Sequence, residues 1–249
     1  MTVEVFTFCW NEMAILPFAV DYWSKYASHV TVYDNGSNDG SVQYLQAQGD
    51  WITVNHFDTD GKINDTQLRM FKNNVWKQAR GRADLVVVSD MDEMLCAPDI
   101  VQSLSTMRRV GGTVCYPHWY NLVSDEVPVF NGQPLHKIRP LGVAVMEFPK
   151  PLLFDPNAIE EINYDYGAHR CHPIGDARWF TGEIYVLHAN HSLSFDHKMS
   201  RYKEMRERLS DINKENGHGI HYSFTEDILR AGWEQDHKQA VNFGAIIEG

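Results

Sequence analysis

The sequence predicts an α/β protein with a mainly parallel central sheet, helices on both faces and added antiparallel strands. Three observations carry that reading. Short, apolar, β-rich runs alternate with segments of helical spacing through the first ninety or so residues. The connections between them are short, which favours right-handed crossovers between parallel strands. The second half instead shows strand-like runs separated by Pro, Gly and Asn, as extra antiparallel strands require.

Val3–Cys9 is apolar and β-rich, the pattern of a buried strand. Residues 11–26 place Ile15, Leu16, Ala19, Val20, Trp23 and Tyr26 on one helical face, leaving Glu12, Asp21 and Lys25 outward. Residues 29–33 form a second strand that stops at the turn-rich segment 34–40. A helix over 41–48, a strand over 51–56 and a longer helix over 65–80 follow. The run ADLVVVS at 83–89 is the clearest strand, and it ends in Asp90-Met91-Asp92-Glu93. Later strands are expected at 113–119, 127–129, 137–148 and 183–187, and helices at 195–209 and 225–231. No internal repeat, low-complexity tract or linker divides the chain.

The 249 residues are 43% hydrophobic and 22% charged, an ordinary globular balance for one interlocked core. The net charge of −11 argues against nucleic acid as a partner, since phosphate binding needs a cationic surface. No run of about 18 apolar residues is present, and the N-terminus lacks the pattern of an export signal. Cys9, Cys96, Cys115 and Cys171 form no CxxC pair and read as reduced thiols. The expectation is a cytoplasmic protein, with room for peripheral contact with the inner face of a membrane.

In open parallel sheets, ligands bind beyond the carboxyl ends of the strands, and both acidic segments fall there. Asp90 and Asp92, one residue apart after a buried strand, are costly together unless a cation neutralises them. Carboxylate oxygens suit Mg²⁺ or Mn²⁺ bridging a diphosphate. The competing reading is a solvated turn in which Asp92 or Glu93 caps a following helix. Asp34 would accept hydrogen bonds from a base or ribose, although turn chemistry explains much of segment 34–40.

Three stretches in order, CWNEMAILPFAVDYW, VTVYDNGSNDGS and VVVSDMDEML, resemble the first half of GT-A glycosyltransferases of the family-2-like group. The match covers about residues 3–96. Gly167-Ala168-His169, and Val186-Leu187-His188 followed by a basic helix, match more loosely. The resemblance implies a single GT-A catalytic domain with a Rossmann-like sheet. Residues 1–96 would be the nucleotide-sugar half, and 97–249 the acceptor half with the C-terminal helices.

By the same resemblance Cys9, Trp10, Glu12 and Asp34 would surround the nucleotide. Asp90 would face the ribose or a metal-bound water, and Asp92 and His188 would join it around Mn²⁺ or Mg²⁺. Gln67 stands where the family has a polar donor-side residue, and it reads equally as an exposed helix glutamine. His188 has a structural alternative as a hydrogen-bonded histidine. Asp165, His169 and Asp176 are the polar candidates on the acceptor side and so for the catalytic base. The family's Glu-Asp pair after the DxD is missing; Glu226-Asp227 lies late, at a helix start, so the base and the anomeric outcome stay open. The charged helix carrying Arg201, Lys203, Arg206 and Arg208 reads first as a solvated face with Glu204 and Glu207 pairing. Its first turn could also reach a departing diphosphate.

The expected activity is transfer of a sugar, a hexosyl group, from a UDP-, GDP- or dTDP-linked donor to a hydroxyl of a glycan or lipid-linked acceptor, in bacterial surface polysaccharide synthesis. Two rivals are kept. A nucleotidyltransferase would carry a glycine-rich, basic loop after the first strand, where CWNEMAILPF has neither glycine nor base. A non-catalytic carbohydrate-binding protein would show no metal-dependent affinity for nucleotide sugars.

Overall fold

A computed structural model describes residues 1–146, 150–189 and 193–248. In chain order the first half contains β1 (Val3–Cys9), α1 (Leu16–Trp23), β2 (His29–Asp34), α2 (Ser41–Gln46), β3 (Ile52–His56), α3 (Asp65–Lys72), a 3₁₀ turn at Val75–Ala79 and β4 (Leu85–Asp90). Then come β5 (Glu93–Cys96), α4 (Ile100–Arg109), β6 (Val114–Cys115), β7 (His118–Leu122), α5 (Leu135–Ile138), β8 (Leu141–Val145), β9 (Leu153–Phe154) and β10 (Ile159–Glu161). After a 3₁₀ turn at Tyr166–Ala168 follow β11 (Ile174–Gly175), β12 (Trp179–Phe180), β13 (Tyr185–His188), α6 (Phe195–Arg208) and α7 (Asp211–Glu215). A 3₁₀ turn at Ile220–Ser223 leads to α8 (Glu226–Gln239), β14 (Val241–Asn242) and α9 (Phe243–Glu248).

The expected mixed α/β architecture is present. A seven-stranded sheet runs β12-β6-β9-β4-β1-β2-β3, parallel except for β9, which is antiparallel to both β4 and β6. A five-stranded sheet of order β14-β8-β7-β13-β5 holds the added strands. Side chains alternate across the first sheet as the strand period dictates. Val5, Val30, Val32 and Val87 pack with Leu16, Ala19 and Trp23 of α1 and with Leu104 and Met107 of α4. Phe6, Val86 and Val88 pack on the opposite face with Trp76 and Phe154, whose rings meet edge-on at 4.9 Å. Each such side chain, fully buried, contributes about 1.5–3 kcal/mol.

Register brings the strand ends level. Cys9 pairs with Asp34, Asp34 with His56, and Phe8 with Asp90. The carboxyl ends of β1 to β4 therefore form one rim.

Several expected elements differ. The first helix starts at Leu16 rather than residue 11, because Asn11 is left-handed (φ 53°) and bonds to the 37–38 loop. The helix expected over 65–80 breaks after Lys72, where the Asn73 side chain accepts from the Tyr164 N–H at 2.6 Å. Glu93 opens a strand rather than capping a helix. The run at 113–119 divides at Pro117, so that β6 joins the first sheet and β7 the second. Residues 127–129 form no strand, and the expected strand 137–148 is α5 followed by β8; its positions 147 and 148 lie outside the described residues. The helix expected over 225–231 continues to Gln239. Among the described residues, no helix is long and apolar enough to cross a membrane.

Candidate active site

A cavity of about 380 Å³ opens beyond the rim formed by β1 and β4. Its floor includes Cys9, Trp10, Glu12, Asp90 and Asp92, and one wall is α3 with Asp65, Leu68, Arg69 and Lys72. The segment Tyr164–His169 and the late elements carrying His188, Tyr202, Arg208 and Tyr222 complete it.

Asp90 ends β4 between two ammonium groups, Lys72 Nζ at 2.5 Å and Lys150 Nζ at 2.8 Å. Lys150 also pairs with Glu93, whose other carboxylate oxygen accepts from the Asp90 N–H at 2.9 Å. Burial alone would raise the Asp90 carboxyl, but Lys150 and Lys72 outweigh it and hold Asp90 well below the usual range. Burial wins at Glu93, which is raised despite Lys150.

Asp92, 7% exposed, lies across from His188, with its Oδ2 3.4 Å from Nε2. Antiparallel pairing of β13 with β5 sets His188 opposite Glu93, and the Ala189 N–H donates to the Asp92 carbonyl at 2.9 Å. Asn121 Oδ1 lies 2.9 Å from His188 Nδ1. When Nδ1–H donates to it, the Nε2 lone pair faces Asp92. One ligand atom each from Asp92, Glu93 and His188 falls within 4.8 Å of the other two. Carboxylate oxygen with imidazole nitrogen is a donor set that suits Mn²⁺ or Mg²⁺, so these residues fit a divalent ion.

The floor is tied to α6. Arg201, 5% exposed, donates to Glu12 Oε1 at 2.8 Å and to the Trp10 carbonyl at 3.2 Å. Arg208 lies over the Trp10 ring at 3.6 Å and bonds to Asn35 Oδ1 and, at 3.0 Å, the Gly61 carbonyl. The basic helix thus turns two arginines inward, contrary to a wholly solvated face, although Glu204 does pair with Arg201 at 3.1 Å. Burial pushes Glu12 up to about 8 against the pull of Arg201. Burial likewise pushes the Cys9 thiol up to about 12.

The remaining sequence candidates divide. Asp165 and His169 line the cavity, with Asp165 3.3 Å from His172. Gly167 (φ 72°) allows the tight turn between them; a Cβ there would sit 2.8 Å from the His169 ring. Asp34 is buried, its carboxylate accepting from Gly36 N at 3.0 Å and Ser37 N at 3.1 Å; its neighbour Asn35 lines the cavity instead. Gln67 is exposed, on a different face of α3 from Asp65, Leu68 and Lys72. Asp176 is exposed beside Arg178 at 3.3 Å, and its carbonyl accepts from Thr113 just before β6. Since β6 runs parallel to β4, Asp176 sits at the opposite end of the sheet from the rim.

Sequence reasoning missed Glu93 as a cluster member, and Lys72, Lys150, Asp65 and Arg69. Asp65, Leu68 and Lys72 recur at helical spacing, a signal present in the sequence. Burial raises the Asp65 carboxyl.

No protein-family model matches the chain, and no curated protein matches it. Among solved structures, residues 1–349 of S. aureus TarS are 11% identical, with 86% of this chain and 68% of that one covered and a TM-score of 0.43. A longer S. aureus TarS is 12% identical over 86% of this chain and 41% of its own, with a TM-score of 0.44. Glucosyl-3-phosphoglycerate synthase from Mycobacterium tuberculosis, in complex with Mn²⁺, UDP and glucosyl-3-phosphoglycerate, is 19% identical over 47% of this chain and 44% of that one, with a TM-score of 0.33.

Proposed function

We propose that the chain is a metal-dependent GT-A glycosyltransferase that moves a sugar from a nucleotide-diphosphate donor to an acceptor hydroxyl. The observation that carries this reading is Asp92 facing His188 at the carboxyl end of β4, in the cavity that Trp10 and Glu12 also line. Asp92 and His188, with Glu93 beside them, would hold Mn²⁺ or Mg²⁺. When bound, the ion supplies charge stabilisation to the leaving diphosphate.

The chain's own residues supply the rest. Lys72 and Lys150 keep Asp90 ionised at the rim, where it can accept from a ribose hydroxyl. The Trp10 ring with Arg208 offers a flat, cationic surface to the donor. Asp165 and His169 stand on the wall where an acceptor would enter, and either can take the proton of its hydroxyl. Asp65, with its raised carboxyl, is a third base candidate.

The finer reading is a cytoplasmic, single-domain enzyme of bacterial surface polysaccharide synthesis. Its donor is UDP-, GDP- or dTDP-linked and its acceptor a glycan or lipid-linked sugar, with peripheral membrane contact where the acceptor is a lipid.

Calorimetric titration of UDP, GDP and dTDP, each with Mn²⁺ and with EDTA, tests it. Binding of one nucleotide near micromolar, about −8 kcal/mol, that disappears in EDTA is expected. Absence of binding by every nucleotide under every condition would sink the donor site.

A further inference from the structure

The cations around the cavity are not all used. Asp90 holds Lys72 and Lys150, Glu12 and Glu204 hold Arg201, and Asn35 and the Gly61 carbonyl hold Arg208. Arg69 differs. It lies over the Tyr166 ring, 4.2 Å from the centroid, and its Nε–H is buried without a hydrogen bond. An unmet buried donor is destabilising unless something else recovers the loss. The His218 ring also packs against Tyr166, 4.3 Å between centroids.

A guanidinium held against an aromatic ring has already lost much of its rotamer freedom. Its planar fork of donors matches an oxyanion better than any other partner. Arg69 stands on α3, which packs against the wall containing Asp165 and His169, the side assigned above to the acceptor.

We infer that Arg69 is an oxyanion-binding residue, and that the acceptor of this cavity carries a phosphate or carboxylate group near its reacting hydroxyl. The anion site stands on the geometry of Arg69. Its assignment to an acceptor rests on the glycosyltransferase reading.

The test follows the arginine Nε–Hε signals of the full ¹⁵N-labelled chain while inorganic phosphate or acetate is added, with and without saturating UDP and Mg²⁺. The Arg69 signal, identified by its loss in Arg69→Gln, should move saturably and should still do so with UDP bound. Anion affinity should fall roughly tenfold or more in Arg69→Gln and only partly recover in Arg69→Lys. A response to phosphate alone assigns a phosphate ester, and a response to acetate alone assigns a carboxylate.

A shift that never saturates, or equal affinity in wild type and Arg69→Gln, overturns the inference. Loss of the anion response when UDP binds overturns it too, by assigning Arg69 to the donor diphosphate. If no nucleotide binds but the phosphate response persists, the transferase reading fails and the anion site remains. The reverse pattern removes the anion site alone.

Discussion

Asp90 and Asp92 leave one strand end a single residue apart and meet opposite surroundings. Asp90 is gripped by two lysines and coupled through Lys150 to Glu93. Asp92 faces an imidazole across 3.4 Å at the cavity floor. A carboxylate already flanked by two ammonium groups gains little from a further cation, whereas one that faces an imidazole can share that nitrogen with a metal ion. In the proposed transferase the two carboxylates are different devices: Asp90 fixes the rim, and Asp92 would hold the ion.

The largest effect expected from breaking that contrast is on stability. Lys150→Met leaves Glu93 buried beside Asp90 without its ammonium partner, and should cost about 3–5 kcal/mol in urea unfolding. Adding Glu93→Leu should restore part of it. A Lys150→Met protein as stable as wild type would remove the clamp from the account.

A buried polar pair far from the rim sharpens the comparison, because it is held without charge. The Tyr22 hydroxyl and His136 Nδ1 share a hydrogen bond at 2.6 Å, and burial lowers the His136 pKa to about 4. The folded protein then binds this proton less tightly than the unfolded chain. Stability from the pair is complete above pH 6.5 and is lost as pH falls toward 4, by about 3 kcal/mol in all. In His136→Gln, denaturation between those pH values should lose most of that slope. An unchanged slope would mean that another group is responsible.

The smallest of the three effects falls on binding. Asp92→Asn keeps the shape but not the charge, and should weaken metal-dependent nucleotide binding at least tenfold, about 1.4 kcal/mol. Its unfolding midpoint should stay close to wild type. If Asp90→Asn lost metal dependence and Asp92→Asn kept it, the roles assigned to the two carboxylates would be exchanged.

The sequence was most legible where pattern is local. The apolar runs ending at Cys9, Asp34 and Asp90 announced parallel strands, and their level ends followed from ordinary pairing. What it could not show were partners brought in from afar. Lys150 reaches Asp90 across 60 positions, and no spacing rule links them. Arg201 and Glu204 are three apart and looked like a surface pair, yet the same guanidinium also crosses to Glu12. The break after Lys72 was hidden for the same reason: Asn73 leaves the helix to bond Tyr164, 91 positions on. In each case a tertiary contact overrides a sound local preference.

The bond from Arg201 to the Trp10 carbonyl joins positions 191 apart. A floor laid down at the end of β1 is thus secured by a helix made 191 residues later. During elongation the Rossmann-like strands can pair long before that lock exists, and closing so long a span is entropically slow. The cavity should consequently be the last part of the molecule to acquire protection from hydrogen exchange during refolding, well after β1, β2 and β4 have paired.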